Sequence, residues 1–420
     1  MKAIITPAKA VGEITSIASK SVAHRLLICA ALSDTKTVIR CANTNKDILA
    51  TVDCLNAMGA DIRYEDGCFF VLPISEKKNS SFLMCNESGS TLRFILPIAC
   101  ALGGEWNFIM EGRLPERPLS PLKEELEAHG ISFSYPALNN LCINGKLSCG
   151  EYSISGNVSS QFTSGLLFAL SIIEGKSTLR VTGEIESAPY IEMTLDALKT
   201  FGAEINRNDN IFTISGQKLR TPKDIEVEND WSNAAFPLCA AAISGGYVTL
   251  KNVNFLSHQG DIKILDLISE FGAEVIKKES SVTVKGKELH GIEINAEHIP
   301  DLVPVLATVA AGAEGTTRIY GASRLRIKES DRLTSTYEML RNLGADVTLT
   351  DDGFIINGKD RLIGGTVDSY NDHRIAMSAA VASTICENKV TVTGAQAISK
   401  SYPDYWKDIS KLGLDIVLQD

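Results

Sequence analysis

IEMTLDALKTFGAEINRND, residues 191–209, decides the fold. Apolar residues at helical spacing run up to Phe201, Gly202 closes the helix as a C-cap, and alternating residues follow as a strand. The same join of helix, glycine and strand returns at MGADIRYEDG from 58, HGISFSYPA from 129, FGAEVIKKE from 271, LGADVTLTD from 343 and LGLDIVLQD from 412. Its glycines are Gly59, Gly130, Gly202, Gly272, Gly344 and Gly413, spaced by 71, 72, 70, 72 and 69 residues. Spacing this even marks an internal repeat.

A second pattern, more apolar, lies between those marks: SVAHRLLICAAL from 21, STLRFILPIACAL from 90, SQFTSGLLFALSI from 160, WSNAAFPLCAAAI from 231, DLVPVLATVAAGA from 301 and HRIAMSAAVASTI from 373. Its starts are 69, 70, 71, 70 and 72 residues apart. A helix apolar on every side must be buried, so each unit of about 70 residues pairs one amphipathic and one buried helix with several strands. Six copies predict an α/β protein of two closed three-unit bodies. A strict solenoid is disfavoured because solenoid repeats usually run ~20–45 residues.

Composition narrows the function. The chain has 420 residues, 44% hydrophobic and 22% charged, which is ordinary globular composition and excludes disorder. A formal charge of -10 gives no global attraction for nucleic acid or anionic lipid, so any anion site must be built locally. Ten cysteines without a CxxC pair or a Cys/His cluster suggest reduced, buried thiols in a cytoplasmic protein and no bound metal. Neither the start, MKAIITPAKAVGEI, nor the longest apolar run, FILPIACAL at 94–102, reads as an export signal or a membrane span.

A polar cluster opens every buried helix: Ser19, Lys20 and Ser21; Glu87, Ser88 and Gly89; Ser159, Ser160 and Gln161; Asp230 and Ser232; Asp301; and Asp372, His373 and Arg374. Capping alone explains Ser and Asp at such places. It does not explain the neighbouring cations Lys20, Arg25, Arg93 and Arg374, or the dense RIKESDR at 326–332, although that run could also be a solvated helix face. Free N–H groups and basic side chains together favour anions, so the residues alone predict an anion-binding two-domain protein. His24 and His373 fall in the clusters, where a histidine is more often a satisfied polar group than a catalyst; His129, His258, His290 and His298 have no neighbouring chemistry.

The motifs SKSVAHRLL at 19–27, ESGSTLRF at 87–94, ERPL at 116–119, SSQF at 159–162, SAPYIEMT at 187–194, DLVP at 301–304, RIKESDR at 326–332, NDHRIAM at 371–377 and SKSYPDYW at 399–406 run along essentially the whole chain. In them the sequence resembles the 5-enolpyruvylshikimate-3-phosphate synthase (3-phosphoshikimate 1-carboxyvinyltransferase) family. The resemblance implies transfer of the enolpyruvyl group of phosphoenolpyruvate to the 5-hydroxyl of shikimate 3-phosphate, on the shikimate pathway to chorismate and the aromatic amino acids. It implies two inverse α/β domains, each of three βαβαββ units, with an interdomain active-site cleft that closes on the substrates. Residues 1–13 and 228–420 would form one domain, carrying Asp301, Lys328, Glu329, Arg374 and Lys400. Residues 14–227 would form the other, carrying Lys20, Arg25, Gly89, Arg117 and Ser159 to Gln161.

Carried over by position, Lys20, Ser21, Arg25, Ser159, Ser160, Gln161, Ser187, Asp301 and Lys328 are implied contacts of shikimate 3-phosphate. Lys20, Gly89, Arg117, Gln161, Glu329, Arg332, Arg374 and Lys400 are implied contacts of phosphoenolpyruvate. Glu87 and Arg324 stand where many members carry Asn. The resemblance also implies that glyphosate fits beside Gly89, so that it should inhibit and Gly89→Ala should relieve the inhibition. Implied partners are these small molecules alone, with no nucleic acid, membrane or cofactor, acting on a monomer.

Two phosphates and two carboxylates bring about five or six negative charges together, which requires cations from both bodies. The resemblance implies Asp301 as base at the 5-hydroxyl, with Glu329 and Lys20 handling the methylene proton and the leaving phosphate. Lys328 and Arg332 should hold Glu329 anionic until bound anions raise its proton affinity. The related UDP-N-acetylglucosamine 1-carboxyvinyltransferase carries a reactive Cys on a mobile loop, and here residues 101–141 contain none. A non-catalytic phosphometabolite-binding relative is the other alternative, against which Lys20, Asp301, Glu329 and Lys400 are all present.

Overall fold

Each repeat folds as a four-stranded sheet with one parallel and two antiparallel pairings, in a computed structural model that describes residues 1–76 and 78–420. The third repeat shows the pattern. Strand Glu151–Ser155 leads into the buried helix Ser160–Ile172 and returns as Gly175–Thr182, parallel to it. Parallel strands need such a crossover, and the helix supplies it. The amphipathic helix Ala188–Thr200 follows, and Gly202, at φ +77°, turns the chain into the hairpin Glu204–Asn208 and Ile211–Gly216. The hairpin's second strand pairs back onto Gly175–Thr182 and completes a βαβαββ unit.

Six such sheets stand among the described residues, three in each of two compact units. The continuous unit is Ala18–Val227, and the discontinuous unit is Met1–Ile17 with Glu228–Asp420. The first crossing falls between Ile17 and Ala18 rather than near residue 14, because strand Val11–Thr15 is paired residue by residue with Tyr247–Lys251. The return crossing follows strand Ile225–Glu226, which pairs with Thr37–Arg40. Each crossing strand thus serves as first strand of a sheet whose own helix lies elsewhere in the chain. The N-terminal strand Lys2–Thr6 is likewise borrowed: it lies between Val390–Thr393 and Asp415–Gln419 and completes the sixth sheet.

The buried helices are Lys20–Ala31, Gly89–Leu102 and Ser160–Ile172 in the continuous unit, and Trp231–Ser244, Val303–Ala311 and His373–Ser383 in the discontinuous one. Each trio runs through its unit's own hydrophobic core. Among the described residues no helix is long and apolar enough to cross a membrane.

Ala3 and Ile5 are fully buried on the inner face of the borrowed strand. Ile5→Ala should lower unfolding stability by about 2–5 kcal/mol, read as a shift of the urea midpoint at unchanged slope.

Candidate active site

Five of the six buried helices begin with a side-chain cap. Ser19, Ser88, Ser159, Asp230 and Asp372 accept from the backbone N–H groups of Val22, Thr91, Gln161, Asn233 and Arg374. The sixth does not: Asp301 sits on the 3-10 turn Pro300–Leu302 ahead of Val303–Ala311, where no side chain caps. Its carboxylate is therefore available for something else.

In the continuous unit, Lys20 opens its helix and pairs through Nζ with Asp47 Oδ2 at 2.9 Å. Gly89 opens the next. A Cβ built at Gly89 would fall 2.6 Å from Arg117 Nη1 and 2.7 Å from Arg93 Nη1, so only glycine lets both guanidinium groups approach this helix start. Arg93 donates to Gln161 Oε1 at 3.1 Å and to the Pro118 carbonyl at 3.3 Å, and Gln161 Nε2 donates to Ser90 at 2.9 Å. Arg117 Nε and Nη1 are buried without a hydrogen-bond partner among the described residues. A buried guanidinium with unmade bonds is costly, and an anion is the kind of group that could make them.

The helix packing that creates this cradle is encoded locally. Pro97 lies inside the Gly89–Leu102 helix and cannot donate to the Arg93 carbonyl. Gly165 of the Ser160–Ile172 helix packs directly on that oxygen and on Pro97, where a Cβ would collide. The close approach brings Gln161 within reach of Arg93.

Other expected contacts of shikimate 3-phosphate are spread over the same unit. Arg25 is buried and engaged at every nitrogen: Nε with Thr194 Oγ1 at 2.8 Å, Nη1 with the Ser21 carbonyl at 2.7 Å and Nη2 with the Tyr190 carbonyl at 2.8 Å. Burial pushes its guanidinium down to about 10. Ser187 is buried at a left-handed φ of 54° before the Ala188–Thr200 helix, and Ser159 and Ser160 open theirs.

In the discontinuous unit Arg332 is 1% exposed and holds three carboxylates. Its Nη1 meets Asp301 Oδ1 at 2.7 Å, Nη2 meets Glu329 Oε2 at 2.8 Å and Nε meets Asp372 Oδ2 at 2.7 Å. Arg374 Nη2 takes the other Asp301 oxygen at 2.9 Å, and Lys328 Nζ lies 4.0 Å from Asp301. Burial opposes charge on Asp301, but Arg374, Lys328 and Arg332 together override it and hold the carboxyl well below its usual range. Burial likewise opposes charge on Arg332, and Asp372, Glu329 and Asp301 raise its proton affinity. Lys400 donates to the Asn371 carbonyl at 2.6 Å.

Two participants escaped the sequence reading. Asp47, the partner of Lys20, lies in the first turn of the helix Lys46–Met58, a position acids fill for dipole reasons alone. Asp261 lies on the short turn Gly260–Lys263, accepts from Ser232 Oγ, and is pushed up to about 7 by burial and then by the charge of Asp301, against the pull of Arg374. Neither position carries a periodic or motif signal. Glu87 packs against Gly112, and Arg324 donates to the Glu297 carbonyl at 2.9 Å. Among the described residues no group of three or more His, Cys, Asp or Glu is placed to hold a metal ion.

Six repeats in two units, each with cations gathered at the starts of buried helices, define an α/β protein of six βαβαββ repeats. The family model described as EPSP synthase (3-phosphoshikimate 1-carboxyvinyltransferase) matches residues 4–409. The chain is 42% identical over 417 residues to the 3-phosphoshikimate 1-carboxyvinyltransferase of Clostridium perfringens (strain 13 / Type A), covering 98% of each. It is 42% identical over 419 residues to that of Clostridium acetobutylicum, covering 98% of this chain and 97% of the relative. The solved EPSP synthase of Acinetobacter baumannii matches with a TM-score of 0.82 at 26% identity, covering 99% of this chain and 100% of that one. The chain belongs to the EPSP synthase family of enzymes.

Removing Arg332 would leave three carboxylates without their shared cation. Arg332→Met should lower stability by about 3–5 kcal/mol in chemical denaturation, more than truncating an exposed arginine such as Arg63.

Proposed function

We propose that this chain transfers the enolpyruvyl group of phosphoenolpyruvate to the 5-hydroxyl of shikimate 3-phosphate and releases phosphate. The observation that carries the reading is the pair of guanidinium groups, Arg93 and Arg117, packed beneath a side-chain-free Gly89 at a helix start, in a chain of this family. On this reading Lys20, Gly89, Arg117 and Gln161 of the continuous unit and Glu329, Arg332, Arg374 and Lys400 of the discontinuous unit hold phosphoenolpyruvate. Lys20, Ser21, Arg25, Ser159, Ser160, Gln161 and Ser187 hold shikimate 3-phosphate with Asp301 and Lys328.

The methylene carbon of an enol phosphate such as phosphoenolpyruvate is nucleophilic. Its protonation while the 5-hydroxyl, losing its proton to a base, attacks the neighbouring carbon gives a tetrahedral ketal, which then expels phosphate as the new methyl group gives up a proton and the double bond re-forms. Both an acid and a base are needed. Asp301 is proposed as the base, and its ion pairs make it a weak one without ligand. Substrate anions drawn to Arg332, Arg374 and Lys328 offset that positive potential and raise the proton affinity of Asp301. The base is thus strengthened by the molecule it acts on. Lys20 and Glu329 are proposed to handle the methylene proton and the leaving phosphate.

Phosphate release from the two substrates tests the reading. Lys20→Met should lose about 10²- to 10⁴-fold in kcat/KM, and a wild-type chain that binds both molecules without turnover would instead be a sensor.

Lys328, which burial pushes down to about 8 against the opposing pull of Asp301, adds a pH signature. Its charge is present below that value and lost above it. Affinity for shikimate 3-phosphate, measured by calorimetry, should weaken by about tenfold between pH 7 and pH 9.5, and Lys328→Met should flatten that slope.

A further inference from the structure

Four fully buried polar side chains in the continuous unit form a line that the proposed chemistry does not use. His24 Nδ1 lies 2.7 Å from Thr51 Oγ1, and Thr51 Oγ1 lies 2.7 Å from Thr91 Oγ1. Thr91 Oγ1 donates to Ser88 Oγ at 2.8 Å, with the Asp47 carbonyl as a second acceptor at 3.4 Å. Exposure is 0% for His24, Thr51 and Thr91 and 1% for Ser88.

A hydroxyl has one proton, so the line can be counted. Ser88 Oγ accepts both from the Thr91 backbone N–H and from the Thr91 hydroxyl. Because the Thr91 proton points away from Thr51, Thr91 must accept the Thr51 proton. Thr51 must then accept from His24, which makes the imidazole the Nδ1–H tautomer with a bare Nε2. That nitrogen is buried and without a partner among the described residues. Burial, then the charges of Lys20 and Arg25, push the imidazole well below its ordinary value and keep it neutral.

The ends of the line give it a purpose. Ser88 caps the helix that begins at Gly89, above Arg93 and Arg117. Asp47, whose carbonyl faces Thr91, holds the Lys20 ammonium. His24 stands one turn along the helix that Lys20 opens.

We propose that His24 and Thr51 are positioning residues for phosphoenolpyruvate, fixing through one directed hydrogen-bond chain the Gly89 helix start against the helix that carries Lys20. Buried polar chains of this kind set geometry more than they add stability. The proposal rests on the functional reading above, since it concerns where that substrate's contacts stand.

The test compares Thr51→Val, which keeps shape but breaks the chain, with Thr51→Ser, which keeps the hydroxyl. Thr51→Val should raise KM for phosphoenolpyruvate by about tenfold while KM for shikimate 3-phosphate stays within about twofold, and Thr51→Ser should restore it. An unchanged KM for phosphoenolpyruvate, or an equal rise for both substrates, would overturn the proposal. An independent reading comes from ¹⁵N chemical shifts of the histidines in the intact chain. His24 should show a protonated Nδ1 and a bare Nε2 at neutral pH, and the opposite tautomer would refute the chain whatever the kinetics. A wild-type chain without turnover would fail the functional reading instead, and the nitrogen pattern then decides this one alone.

Discussion

A helix buried on every side keeps unmet backbone donors only in its first turn, where N–H groups have no partner within the helix. Three such helices in each unit concentrate all of that unmet donor capacity at six short stretches of chain. Side chains cap five of the six starts, and basic side chains such as Lys20, Arg93 and Arg374 lie beside them. The fifth repeat departs from the rule: its acid, Asp301, is spent on arginines instead of on its helix.

That departure sets the electrostatics of the discontinuous unit. Burying Arg332 is tolerable only because Asp301, Glu329 and Asp372 surround it, and burying those carboxylates is tolerable only because of Arg332 and its neighbours. The cluster is close to internally balanced before any ligand arrives. Asp261, buried near the charge of Asp301, holds its proton more tightly, against the pull of Arg374. In the continuous unit the balance is left open at Arg117, whose buried nitrogens have no protein acceptor among the described residues.

Much of this was legible in the chain. The glycines from Gly59 to Gly413 mark helix ends because a left-handed C-cap is cheapest for glycine, and that chemistry is local. The caps Ser19, Ser88, Ser159, Asp230 and Asp372 follow from the same local preferences. Family motifs named Lys20, Arg117 and Arg374 without showing what any of them touches. The resemblance put the first crossing near residue 14, a few residues before Ile17, and the pairing of Val11–Thr15 with Tyr247–Lys251 that carries the strand across spans more than half the chain. Arg25 read as a cation beside a helix start, and its three bonds to Ser21, Tyr190 and Thr194 became visible only in the packed unit.

Sequence by itself determined the six-fold period, the two kinds of helix, and the placing of polar groups at the buried helices' starts, because spacing and capping act within a few residues. Only the tertiary structure decided which charge meets which. Asp301 and Arg374 are 73 residues apart, and His24 and Thr51 are 27 apart. Whether a carboxylate caps a helix or holds an arginine depends on what long-range packing brings within about 3 Å. Proton affinities follow from those neighbours and from burial, neither of which a residue carries along the chain.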